Sequence, residues 1–146
     1  MGLENTNNVA KFWMEIAPQL MRRMRQNVIE ASVGSLTLPQ YRILANINRG
    51  LNSIGAIANH HGVAQPSMSK MINLMVDRGL IVRKTSALDK RQSVLTFSKQ
   101  GQVLFYKVRE KAQKKISQNL LELNDDDLQK LAKSFEQIRQ VLEKWN

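Results

Sequence analysis

The chain has no cysteine among its 146 residues. That excludes a disulfide framework, a thiolate nucleophile and a thiol redox sensor. Aromatic residues make up only 5% of the chain, and no apolar run approaches the roughly 18 residues that a membrane span requires. The opening stretch MGLENTNNVAKFW has no basic segment followed by an apolar run and a small-residue cleavage site. A soluble, cytoplasmic protein without membrane partners is therefore expected. P-loop and dinucleotide-binding glycine patterns are missing too, as is any spaced set of metal ligands. The expectation is no enzyme, no catalytic residue, no metal and no cofactor. His60 and His61 are adjacent, cannot both face one metal on a regular helix, and have no carboxylate close by in sequence. His61 is expected to be half-buried at a turn, with His60 solvated.

What the chain has is positive charge, and it is unevenly placed. The net charge is +10, of which residues 1–34 contribute +1, residues 35–100 contribute +7 and residues 101–146 contribute +2. A cationic middle block points to a polyanion-binding face.

Hydrophobic spacing sets out the elements. Val9, Phe12, Trp13, Ile16, Leu20, Met24 and Val28 recur every three or four positions, the signature of a long amphipathic helix. Pro18 lies inside it and predicts a kink or a break near Ala17. Thr37 and Gln40 form a capping box for a second helix running to about Asn48, with Pro39 tolerated in its first turn. Residues 53–81 read as two helices joined by a tight turn. Ser53 caps the first, Gly62 makes the turn and Pro66 marks the start of the second. Met68, Met71, Ile72 and Met75 then face inward, and Gln65, Ser69, Lys70 and Asn73 face outward. Leu80–Thr85 and Ser93–Phe97 are short β-prone runs around a polar tip, a two-stranded ribbon. Ser98 opens another helix, with Val103, Leu104, Val108, Ala112, Ile116 and Leu120 as its apolar stripe. Asn124 opens the last, whose Leu128, Leu131, Phe135, Ile138, Leu142 and Trp145 make a heptad seam. Such a seam needs a partner, either a second chain or the first helix of the same chain.

A sharp helix-turn-helix whose second helix exposes amides, hydroxyls and an ammonium group has what duplex DNA reading requires. Gln65 and Asn73 can pair with adenine, Ser67 and Ser69 can donate or accept, and Lys70 can reach guanine or phosphate. Arg83 and Lys84 on the first strand suit phosphate contacts. At the ribbon tip, Lys90 and Arg91 suit the narrow minor groove, with Asp89 holding the Arg91 guanidinium through a bidentate pair. Two other readings stay open: a winged helix that binds another protein, and an architectural protein that binds DNA without sequence preference.

In this order and spacing the chain resembles the MarR family of winged-helix transcriptional regulators. Asp-Lys-Arg at 89–91 matches the family's wing, RGLI at 78–81 its entry into the wing and FSKQG at 97–101 its exit. The resemblance implies a mainly α fold with a small β-hairpin wing. Residues 36–101 would form the winged helix-turn-helix domain, and residues 1–35 and 102–146 would supply dimerisation helices. It implies a homodimer held by Phe12, Leu131, Phe135, Ile138, Leu142 and Trp145, bound to palindromic double-stranded DNA as a repressor. It also implies release by a small aromatic or phenolic effector, with Trp13, Tyr41 and Phe105 as candidate contacts. Three departures stand out: His61 occupies the usual leucine position before the turn glycine, Ala64 cannot cap the recognition helix, and Gln92 follows the wing arginine. Thiol-based peroxide sensing, which some members of the family use, is excluded here.

Overall fold

The computed structural model describes residues 2–86 and 93–145, except for the side chain of Leu3. Six helices and one hairpin follow in the order α1 (Gly2–Ala31), α2 (Leu38–Asn48), α3 (Ile54–His61), α4 (Gln65–Asp77), β1 (Ile81–Thr85), β2 (Ser93–Phe97), α5 (Lys99–Leu120) and α6 (Asp125–Trp145). The mainly α fold with a two-stranded wing is the one the sequence predicts. The tip residues Asp89, Lys90 and Arg91 lie outside the described residues.

Of the kink or break expected near Ala17, the break does not occur. α1 continues through it for 30 residues, and Gln19 Nε2 donates to the Glu15 carbonyl in the same turn, at 3.0 Å. One missing N–H is a local loss, and helix propagation is favourable on both sides of it.

The helix starts follow their caps. Thr37 and Gln40 make a full capping box at α2, and the Ser53 hydroxyl accepts from the Ala56 N–H at α3. Gly62, at φ 65°, takes the left-handed conformation that ends α3 and lets the chain turn into α4. Ala64 makes no side-chain cap. Asn124 Oδ1 accepts from the Asp127 N–H at 2.8 Å to open α6.

The molecule divides into two compact units, Met1–Ala112 and Gln113–Asn146. In the first, Val28, Ile43, Leu44, Ile57, Met68, Ile72, Met75, Leu80, Leu95, Phe105 and Val108 form one buried cluster. α5 enters that core along its predicted stripe at Leu104, Val108 and Ala112, and departs from it at Val103. Val103 is 63% exposed, whereas Gly101, Phe105, Val108 and Ala112 are buried. Their spacing of four, three and four residues is the true inner face, and Val103 lies two positions off it.

Gly101 explains the end of FSKQG. A β-carbon there would stand 1.9 Å from the Leu80 carbonyl oxygen. The backbone of α5 thus sits directly on the start of the wing. Ser98 completes the junction: its N–H donates to Leu80 O at 3.1 Å, its hydroxyl donates to Gly79 O, and it accepts from the Gly101 N–H at 2.9 Å. The wing's entry and exit motifs are therefore two halves of one clasp.

In the second unit, the apolar residues of α6 find little cover. Leu128, Leu131 and Leu142 are half-buried, while Phe135, Ile138 and Trp145 are exposed. The polar side of the helix carries ion pairs between Lys130 and Asp126 and between Arg139 and both Glu136 and Glu143. The partners are solvent-exposed, so screening keeps the contribution of these pairs small.

Candidate nucleic-acid interface

α4 turns Met68, Ile72 and Met75 into the core. This leaves Gln65, Ser67, Lys70 and Asn73 exposed on its outer side, with Ser69 half-buried at the edge. The predicted division of this helix into two faces is present, and Ser69 is the residue displaced from it.

The hairpin pairs Ile81 with Phe97, Arg83 with Leu95 and Thr85 with Ser93. Because side chains alternate across a strand, Arg83 shares the face of Ile81, while Lys84 lies on the other. Ile81 and Leu95 are buried on that face. Arg83 extends past them to α4, where its Nη2 donates to Asn73 Oδ1 at 2.8 Å. The link joins recognition helix and wing directly. It also engages the amide oxygen that a bidentate contact to adenine would use, and that oxygen keeps a second lone pair. Arg83 and Lys84, grouped by the sequence as one pair of phosphate ligands, are therefore separated by the pleat.

Sequence reasoning missed a second brace. Arg78 Nη1 donates to Gln40 Oε1 at 2.9 Å and its Nη2 donates to the Ser35 carbonyl at 2.8 Å. Gln40 Oε1 also accepts from the Thr37 N–H at 3.0 Å. One side chain thus caps α2 and fixes the C-terminal end of α4. The wing is tied at its base as well, where the Leu95 N–H donates to Asn52 O at 2.7 Å.

Of the three candidate effector contacts, two come together. Tyr41 and Phe105 stack with ring centroids 5.2 Å apart. They line a cleft of about 350 Å³ together with Met21, Met24, Arg25, Arg42, Arg49 and Arg109, among others. Trp13 does not line it. Phe105 is only 2% exposed, so it is first a core residue whose ring forms part of the wall. Burial raises the Tyr41 hydroxyl above its ordinary pKa, against the opposing pull of Arg109 and Arg49. The phenol is consequently neutral and available as a donor at physiological pH.

His60 is exposed and His61 half-buried, as the sequence predicts. His61 Nε2 lies 2.8 Å from Asn46 Nδ2. Burial holds its pKa below the ordinary value, with Arg42 and His60 adding to the effect. The neutral ring can therefore accept the Asn46 N–H. Among the described residues there is no group of three or more His, Cys, Asp or Glu side chains placed to hold a metal ion, and no helix is long and apolar enough to cross a membrane.

Comparison with known proteins fits this geometry. Residues 35–92 match the model of the MarR family. The match covers 58 of the 146 residues, so the likeness is that of the helix-turn-helix and hairpin segment. The chain is 28% identical over 118 residues to an HTH-type transcriptional regulator of Mycobacterium leprae, spanning 80% of this chain and 82% of the relative. Among solved structures, wild-type MarR of E. coli in its apo form superposes with a TM-score of 0.74 at 14% identity, over 85% of this chain and 93% of the other. A transcriptional regulator from Thermotoga maritima superposes with a TM-score of 0.70 at 19% identity, over 94% and 96%. The segment around the helix-turn-helix is thus similar to MarR-family proteins, and the full-length relative it matches is named an HTH-type transcriptional regulator.

Proposed function

We propose that this protein is a MarR-family transcriptional regulator that works in the cytoplasm as a homodimeric repressor. It binds an inverted-repeat operator and leaves it when a small, negatively charged aromatic or phenolic effector occupies the cleft. The observation that carries the DNA-binding reading is the Arg83–Asn73 link. It couples an outward-facing helix bearing Lys70 to a cationic ribbon, so that both can address adjacent grooves of one duplex. The homodimer is supported by the apolar side chains left exposed at Phe12 on α1 and at Phe135, Ile138 and Trp145 on α6. The negative charge of the effector is supported by four arginines in a lining that contains no acid. Its aromatic character is supported by the Tyr41 ring, which presents a flat apolar face beside them.

Selection of bound duplexes from a random pool tests the whole reading. An inverted repeat is expected, with half-sites about 34 to 36 Å apart or a multiple of that. On the selected duplex, Arg91→Ala should weaken binding by about 1 to 3 kcal/mol if the wing arginine enters the minor groove. Equal affinity of wild type and variant across a salt titration rejects that role for the wing. Retention of every sequence alike points instead to an architectural protein.

A further inference from the structure

One side chain on the outer side of α4 has no part in the interface described so far. Leu74 is 57% exposed, and of the polar positions read from the sequence Ser67, Lys70 and Asn73 lie nearest it. It follows Lys70 by one helical turn, about 6 Å along the axis and about 40° round it, and Ser67 by two turns. Asn73, beside it, has its amide oxygen held by Arg83. The outward surface of this helix thus presents an ammonium group, an aliphatic side chain and an amide whose oxygen already accepts one hydrogen bond from Arg83. A single exposed leucine on an ordinary surface needs no explanation. On a surface that enters the major groove it does, because the groove offers one aliphatic feature, the C5 methyl group of thymine.

We infer that Leu74 is a specificity-determining residue that reads a thymine methyl group in each operator half-site. The inference rests on the DNA-binding reading above. Lys70 then serves as the electrostatic anchor next to it, and the Arg83–Asn73 link fixes the rotation of α4 that presents the leucine. Asp77, exposed three residues further on, would meet phosphate repulsion if the contact surface continued past Leu74. It marks the C-terminal limit of the reading segment.

Deoxyuridine, which lacks only the methyl group, gives a direct test. Each thymine of a duplex selected by the full-length wild-type protein is replaced in turn, and affinity is measured by fluorescence anisotropy. One symmetry-related thymine position is expected at which loss of the methyl weakens wild-type binding about 4-fold per half-site, the value of one buried methyl group. Leu74→Ala should bind thymine and deoxyuridine duplexes equally at that position and behave as wild type at all others. If every deoxyuridine substitution is tolerated, or if the penalty persists in Leu74→Ala, the inference is overturned while DNA binding stands. If Leu74→Ala weakens selected and scrambled duplexes by the same factor, the leucine contributes no sequence information and the inference again fails. If the wild-type protein retains no duplex at all, the DNA-binding reading falls and takes the inference with it.

Discussion

The two units of this chain solve the same problem, the burial of an amphipathic helix, in opposite ways. In Met1–Ala112, helices α2 to α5 and the hairpin supply one another's cover, so that Ile43, Leu44, Ile57, Ile72, Met75, Leu80, Leu95, Phe105 and Val108 are all at most 1–2% exposed. In Gln113–Asn146, α6 has a more regular apolar seam than any helix of the first unit, yet none of its residues is buried. The amphipathic N-terminal part of α1 behaves like α6, since Val9, Phe12, Met14 and Ile16 are each at least half exposed. Periodicity reports that a helix has an apolar side. It does not report whether the same chain covers it. The winged helix holds its own core, and the two ends of the chain leave apolar side chains exposed, the surfaces on which the proposed homodimer rests.

The largest effect expected from this contrast is the loss of stability in Phe105→Ala. Phe105 lies at the centre of the first unit, stacked on Tyr41 and tilted against Phe97 at 5.5 Å. Its removal should cost about 3 to 5 kcal/mol in denaturant unfolding, as for other buried aromatics. A loss below about 1 kcal/mol would show that the core collapses around the gap and that the first unit is less tightly specified than its burial implies.

Phe135→Ala addresses the other side of the comparison. Phe135 is 44% exposed, so truncation should change the unfolding free energy of a dilute, monomeric sample by no more than about 0.5 kcal/mol. Its effect should appear in association, as a weaker self-association constant in sedimentation equilibrium and a melting temperature that depends less on protein concentration than in the wild type. Unchanged association would move the dimer interface away from the α6 seam and break the symmetry between the two ends.

How far the sequence could be read follows the range of the interactions. The caps at Thr37, Ser53 and Asn124 and the turn at Gly62 were legible because each rests on residues at most four apart. The two faces of α4 were legible for the same reason. The Arg83–Asn73 link, the Arg78–Gln40 brace and the contact of Gly101 with Leu80 were not. Each depends on how separate elements meet, and no local period encodes that. RGLI and FSKQG could be recognised as a pair, but the reason they belong together is the clasp of Ser98 and Gly101 on Gly79 and Leu80. At Pro18 the sequence allows a kink or a break, and the helix on both sides carries the chain through without a break. Val103 alone leaves the predicted stripe, because the inner face runs through Gly101 and Phe105, two positions to either side of it.

The smallest effect is a pH dependence within the first unit. His61 at the end of α3 faces Asn46 of α2, with Arg42 and His60 close by. Its folded pKa lies below the ordinary 6.5, burial being the main cause. The unfolded chain therefore takes up a proton at a higher pH than the folded one. The neutral ring's contribution to stability is complete above about pH 6.5 and declines as the pH falls below it. Protonation would also set an N–H at Nε2 against the Asn46 N–H it now accepts. The wild-type protein should accordingly unfold at lower urea concentration at about pH 5.5 than at about pH 7.5, and His61→Gln should reduce that difference. The ring is only half-buried, so solvent keeps the change small. A His61→Gln profile identical to that of the wild type would assign the acid sensitivity to other groups and leave the α2–α3 contact independent of pH.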